Sequence, residues 1–122
     1  MNAAASEQPP AGAGELKEEA AHYLGHRQRL RDRFMESGAS ALADYELLEL
    51  VLFRAIPRRD VKPLAKALIK RFGSFAEAAA ARPERLREID GLGEAAIMEI
   101  KLAEAVATRL ARGKIETRQI LS

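Results

Sequence analysis

Two glycines flank a single leucine in Ile89-Asp90-Gly91-Leu92-Gly93-Glu94-Ala95-Ala96-Ile97. Gly91 can take positive φ, and Gly93 brings bare backbone to the surface where a helix begins. Free N–H groups at a helix N-terminus, with the positive end of its dipole, suit a phosphate oxygen. The chemistry open to this stretch is binding of a nucleic-acid backbone without reading bases, through the N–H groups of Gly91, Leu92, Gly93, Ala95 and Ala96. Asp90 and Glu94 act against it. A carboxylate in the first turn favours the helix but competes with phosphate for the same donors. A tight helix–helix turn with no ligand is the plain structural alternative.

The second group is cationic. Positions 54–71 hold seven Lys or Arg against Asp60 alone, a net of +6, whereas positions 1–25 hold one Lys and four Glu, a net of −3. The whole-chain charge of +2 conceals this asymmetry. A local basic patch is the electrostatic footprint of a phosphate-bearing partner. Arg58, Arg59, Lys62 and Lys66, with Lys101 after the glycines, would supply that attraction. Arg27, Arg29, Arg31 and Arg33 admit two readings, a solvated helix face or a further phosphate contact.

A search for catalysis is empty. His22 and His26 are spaced i, i+4, but no acidic residue completes a metalloprotease-like motif, and they read as incidental. Glu46/Glu49 and Glu15/Glu18/Glu19 read as solvated carboxylates. There is no cysteine, no serine beside a histidine, and no loop long enough to cradle a nucleotide triphosphate. No enzyme, metal or cofactor is expected in these residues.

The elements that would position these groups are helical. At 122 residues there is room for one domain, and 48% apolar residues with 5% aromatic favours aliphatic helix packing. The Ala/Gly/Pro-rich start predicts a poorly ordered leader over 1–25, with a short helical turn at 15–23. Helices are predicted over 26–36, over 44–53 with Asp44 as N-cap, and from Asp60 as N-cap to Gly73. A capping box of Ser74 and Glu77 opens a short helix to about Ala81. Another runs from Pro83, and a long one from Glu94 to about Arg112, stopped by Gly113. Positions 114–122 are predicted not to continue it. No window approaches a membrane span and no signal-peptide core is visible, so a cytoplasmic protein without a membrane partner is expected.

The joint at 54–60 resembles the glycine joint when shifted by 33 residues, which places Ile56 on Ile89, Asp60 on Gly93 and Leu64 on Ile97. The expected fold is all-α, a compact domain of five or six helices with one clear and one degenerate helix-hairpin-helix motif. Two such hairpins side by side would contact both strands of a duplex.

Several blocks then resemble one family. They are His26-Arg27-Gln28-Arg29-Leu30-Arg31-Asp32-Arg33-Phe34, Asp44-Tyr45-Glu46-Leu47-Leu48-Glu49-Leu50-Val51-Leu52-Phe53, Asp60-Val61 with Leu64-Ala65-Lys66-Ala67-Leu68, Phe72-Gly73, and Ile89-Asp90-Gly91-Leu92-Gly93. Their order and spacing resemble the N-terminal region of the bacterial RadC family (UPF0758). The resemblance covers about 26–122 and implies a helix-hairpin-helix domain over 26–113. It also implies a linker at 114–122 toward a C-terminal JAB/MPN-type domain with a JAMM zinc motif of a Glu, two His and an Asp. None of those metal-site residues is present, so the family's metallopeptidase-like activity does not carry over to this N-terminal fragment. The family's name implies DNA repair. The chain departs from the family at 56–59, where a Gly-containing turn is usual. Two functions follow: a sequence-independent DNA-binding domain, or a protein-interaction domain that docks on the missing C-terminal domain or another partner.

Overall fold

A computed structural model describes residues 13–121. Helix α1 spans Ala13–Ser37, and a 3-10 turn follows at Ala39–Ala41. Helices α2 (Asp44–Leu52), α3 (Lys62–Phe72), α4 (Phe75–Ala80), α5 (Pro83–Leu86) and α6 (Glu94–Leu121) complete an all-α fold, with no strand among the described residues. Helix α2 has few polar positions and packs against α1, α3, α4 and α6, so it forms the centre. Leu48 and Leu52 of α2 meet Leu30, Leu64, Leu68, Leu86, Ala96, Ile97 and Ile100 in one aliphatic core.

Local chemistry sets the boundaries. The Glu46 carboxylate accepts the Ala43 N–H at 2.9 Å and caps α2. Asp44 is therefore not the N-cap that the sequence predicts. It lies one residue inside, where its Oδ2 accepts the Phe75 N–H at 2.9 Å and ties the start of α4 to the start of α2. Asp60 Oδ1 accepts the Lys62 N–H at 2.9 Å, with Pro63 in the first turn of α3. Gly73 closes α3 at φ 103°, which a side chain rarely adopts. Ser74 Oγ accepts the Glu77 N–H at 3.1 Å and caps α4.

Two expectations fail at the ends. Helix α1 begins at Ala13, so 13–25 is helical and continuous with the segment from His26. The Glu, Lys and Ala of that stretch are good helix formers, and one internal glycine, Gly25, costs only about 1 kcal/mol. The predicted leader otherwise lies at 1–12, outside the described residues. Helix α6 likewise passes through Gly113 to Leu121, and Thr117 Oγ1 donates to the Gly113 carbonyl at 2.9 Å. Gly113 does not stop the helix because the Ala, Leu, Arg and Glu around it sustain helical geometry.

Candidate nucleic-acid interface

The glycine joint is a turn whose N–H groups are unequally free. Leu92 N–H donates to the Ile89 carbonyl at 3.2 Å, and Gly91 sits at φ 85°. Positive φ at the third position is the signature of a type II turn and fixes glycine there. The Leu92 side chain is buried in the core. Leu92 is thus no phosphate donor, contrary to the sequence expectation, because its N–H closes the turn. The first bond of α6 runs from Ile97 N–H to the Gly93 carbonyl at 3.0 Å. The N–H groups of Glu94, Ala95 and Ala96 therefore have no intrahelical acceptor. Gly91, Gly93 and Ala95 are exposed, and the Ala96 methyl is buried.

Glu94 competes less than its position suggests. Arg87 takes both of its oxygens, Nε to Oε2 and Nη2 to Oε1, each at 3.0 Å. That hydrogen-bonded pair holds the Glu94 carboxyl below the usual range.

The other joint, residues 53–61, is organised by a buried arginine. Arg27 of α1 donates to the carbonyls of Phe53 at 3.2 Å, Ile56 at 2.5 Å and Arg59 at 2.7 Å. Its guanidinium lies over the Phe53 ring, 4.6 Å from the centroid. Burial pushes the Arg27 pKa down, with neighbouring Arg31 adding to the effect. This fan of donors fixes the C-terminal end of α2 and the path to α3. Arg59 then reaches across, its Nη2 donating to the Gly91 carbonyl at 2.7 Å. The structure thus brings the basic joint and the glycine joint into contact.

The two joints are not copies in register. Exposed and buried positions of α3 and α6 coincide at an offset of 32 residues: Leu64 with Ala96, Ala65 with Ile97, Leu68 with Ile100. At 33 residues, buried Ala65 would fall on exposed Met98. The first joint also has no positive-φ residue among those described.

The cations separate by task. Lys62, Lys66 and Lys70 recur at i, i+4 along one face of α3. Lys66 lies over the Tyr45 ring at 5.0 Å. Among the described residues, Arg58 and Lys70 make no hydrogen bond, ion pair or ring contact. Lys70 was readable as the third lysine of that row but is absent from the residues singled out in the sequence. Lys101 behaves differently. Its Nζ donates to the carbonyls of Ala79 at 2.9 Å and Ala81 at 2.8 Å and pairs with Glu104 at 2.7 Å. It caps the end of α4, so its charge is committed to the fold.

Of the carboxylates read as solvated, Glu18 is exposed, but Glu46 and Glu49 are not solvated. Glu49 is fully buried, and His26 Nε2 meets its Oε1 at 3.0 Å. Burial raises the Glu49 pKa, partly offset by His26. Glu46 is half-buried. Burial pushes its pKa up, but the Arg33 hydrogen bond at 2.6 Å and the Ala43 N–H outweigh that and leave it lowered. His22 and His26 do not form a pair, since His26 is engaged with Glu49. Among the described residues no group of three or more His, Asp or Glu could hold a metal ion. No described helix is long and apolar enough to cross a membrane.

Fold and joints together define a small all-α domain in which Arg59, just before a lysine-bearing helix, is bonded to the glycine turn that opens α6. Comparison with known proteins gives it a family. Residues 22–98 match the family described as UPF0758 N-terminal. A UPF0758 protein of Ruegeria pomeroyi is 58% identical over 97 residues, 80% of this chain and 43% of the relative. A UPF0758 protein of Rhodobacter capsulatus is 57% identical over 93 residues, 76% of this chain and 44% of the relative. The chain belongs to the UPF0758 family, the one its sequence blocks resemble. It spans less than half the length of these curated relatives. No solved structure matches it.

Proposed function

We propose that this domain holds duplex DNA by its phosphate backbone without reading bases, as the binding part of a longer, cytoplasmic, RadC-like protein associated with DNA repair. The observation that carries this reading is the Arg59–Gly91 contact. It sets the open N–H groups at the start of α6 close to Arg59, the neighbour in sequence of Arg58 and of the start of the lysine-bearing α3. Helix N-termini and lysine rows both favour phosphate, and neither distinguishes bases. Gly93, Ala95 and Ala96 offer backbone donors, while Arg58, Lys62, Lys66 and Lys70 supply charge. Arg59 contributes both charge and geometry. The domain then contributes binding and positioning, and catalysis belongs elsewhere.

An amide-resolved NMR titration with a duplex of arbitrary sequence tests this. The amides of Gly93, Ala95 and Ala96 and the residues around Arg58 and Lys62 should shift together. Shifts confined to residues 105–121, or no shifts at low salt, would overturn it.

A second reading, docking on another protein surface, is favoured by one observation. Beyond its packed first turns α6 exposes Leu102, Val106 and Leu110 at 50%, 51% and 62% on one face, away from the core contacts of Ala96, Ile97 and Ile100. An apolar stripe on a projecting helix suits a protein partner, with the missing C-terminal domain as the first candidate.

A further inference from the structure

A pocket of about 510 Å³ opens between α1 and the joint that precedes α3, lined by Glu18, His22, Tyr23, Arg58, Arg59 and Asp60. Its size falls in the range of small-molecule sites, roughly 300–1,000 Å³. It has room for one nucleotide but not for a duplex.

Its lining is mixed in a way that limits the occupant. Arg58 has no partner among the described residues, and Arg59 uses Nη2 on Gly91, leaving other guanidinium donors. Those groups suit a phosphate. Glu18 and Asp60 would repel a run of phosphodiesters but accept hydrogen bonds from base N–H groups or sugar hydroxyls. Asp60 uses Oδ1 on the Lys62 N–H, which leaves Oδ2. Tyr23 supplies an aromatic ring, already under the Arg27 guanidinium at 5.3 Å. Arg27 also holds the carbonyls of Phe53, Ile56 and Arg59, so the wall that carries Arg58 to Asp60 is set before any ligand arrives.

We propose that this pocket receives a single unpaired nucleotide at the end of a duplex. Its phosphate meets Arg58 and Arg59, its base lies against Tyr23 and His22, and its polar edge faces the carboxylates. The proposal rests on the DNA-backbone reading, because the flanking duplex would lie along the adjacent joints.

The test compares fluorescence anisotropy of the whole chain with two duplexes of equal length, one blunt and one carrying a single unpaired nucleotide at each end. The overhang duplex should bind about tenfold tighter, the gain expected of one base–aromatic stack. Tyr23→Leu keeps an apolar contact for Arg27 and should abolish that preference while blunt-duplex affinity stays. His22→Ala, at an exposed helical position, should reduce it and guards against misfolding of the first variant. Equal binding of both duplexes by the native chain overturns the proposal and leaves the backbone reading standing. So does a preference that both variants retain. Binding to neither duplex overturns both.

Discussion

Arg59 Nη2 donates to the Gly91 carbonyl at 2.7 Å across 32 residues of sequence. One hydrogen bond thereby joins the tip of the basic joint to the tip of the glycine joint. A Cβ added at Gly91 would meet Arg59 Nη2 at 3.3 Å, and the backbone there lies at φ 85°. Gly91→Ala should therefore cost about 1–2 kcal/mol from the backbone conformation alone, read as a shift in urea midpoint. Arg59→Ala on that background removes the crowding but also the hydrogen bond to the Gly91 carbonyl, and it leaves the conformational cost. The double variant should therefore not recover the native midpoint.

Arg27 is the residue on which the first joint depends. Arg27→Ala leaves three carbonyl acceptors without their donor and should lower stability by about 2–4 kcal/mol. Arg27→Lys should not restore it, because a compact ammonium lacks the planar fork that spans the carbonyls of Phe53, Ile56 and Arg59. Chemical denaturation of both variants measures this directly.

Lys101 separates folding from binding. Lys101→Met should destabilise the domain by about 1–3 kcal/mol, since the carbonyls of Ala79 and Ala81 lose a charged donor. Under conditions where the variant stays folded, its affinity for duplex DNA should equal that of the native chain. A matched loss of affinity would place Lys101 at the interface.

Glu49 imposes a pH dependence of known sign. Its folded pKa lies above the usual 4.5 because burial disfavours the carboxylate. The folded state thus holds this proton more tightly than the unfolded state. The corresponding stability is full below 4.5 and lost as pH rises through the folded value. Glu46 and Glu94, whose pKa values are lowered, contribute stability that is lost only as pH falls below 4.5. Unfolding midpoints should therefore decline on raising pH above 4.5, and Glu49→Gln should flatten that decline.

Much of the fold was legible because the signals are local. Gly91 and Gly73 stand where only glycine tolerates the backbone, and Ser74 with Glu77 caps within one turn. What was hidden is long-range. Nothing in the alternation Arg27, Arg29, Arg31, Arg33 marks the first as buried, because its acceptors lie 26 to 32 residues away. Glu49 was a missed signal, a lone acid in the apolar run Leu47-Leu48-Glu49-Leu50. Of the candidate site, the cationic row was visible as charge density. The loss of Leu92 as a donor and the commitment of Lys101 to α4 follow only from tertiary geometry.

The central claim is tested most directly by salt-titrated affinity for two duplexes of unrelated sequence, for the native chain and for Lys62→Glu, Lys66→Glu, Lys70→Glu combined. The account predicts equal affinity for both sequences and a fall of log K with log salt of slope about −3, as for a few neutralised phosphates. The triple variant should bind at least tenfold more weakly while remaining folded. Absence of binding at low salt, or binding that is independent of salt and unchanged in the variant, would contradict it.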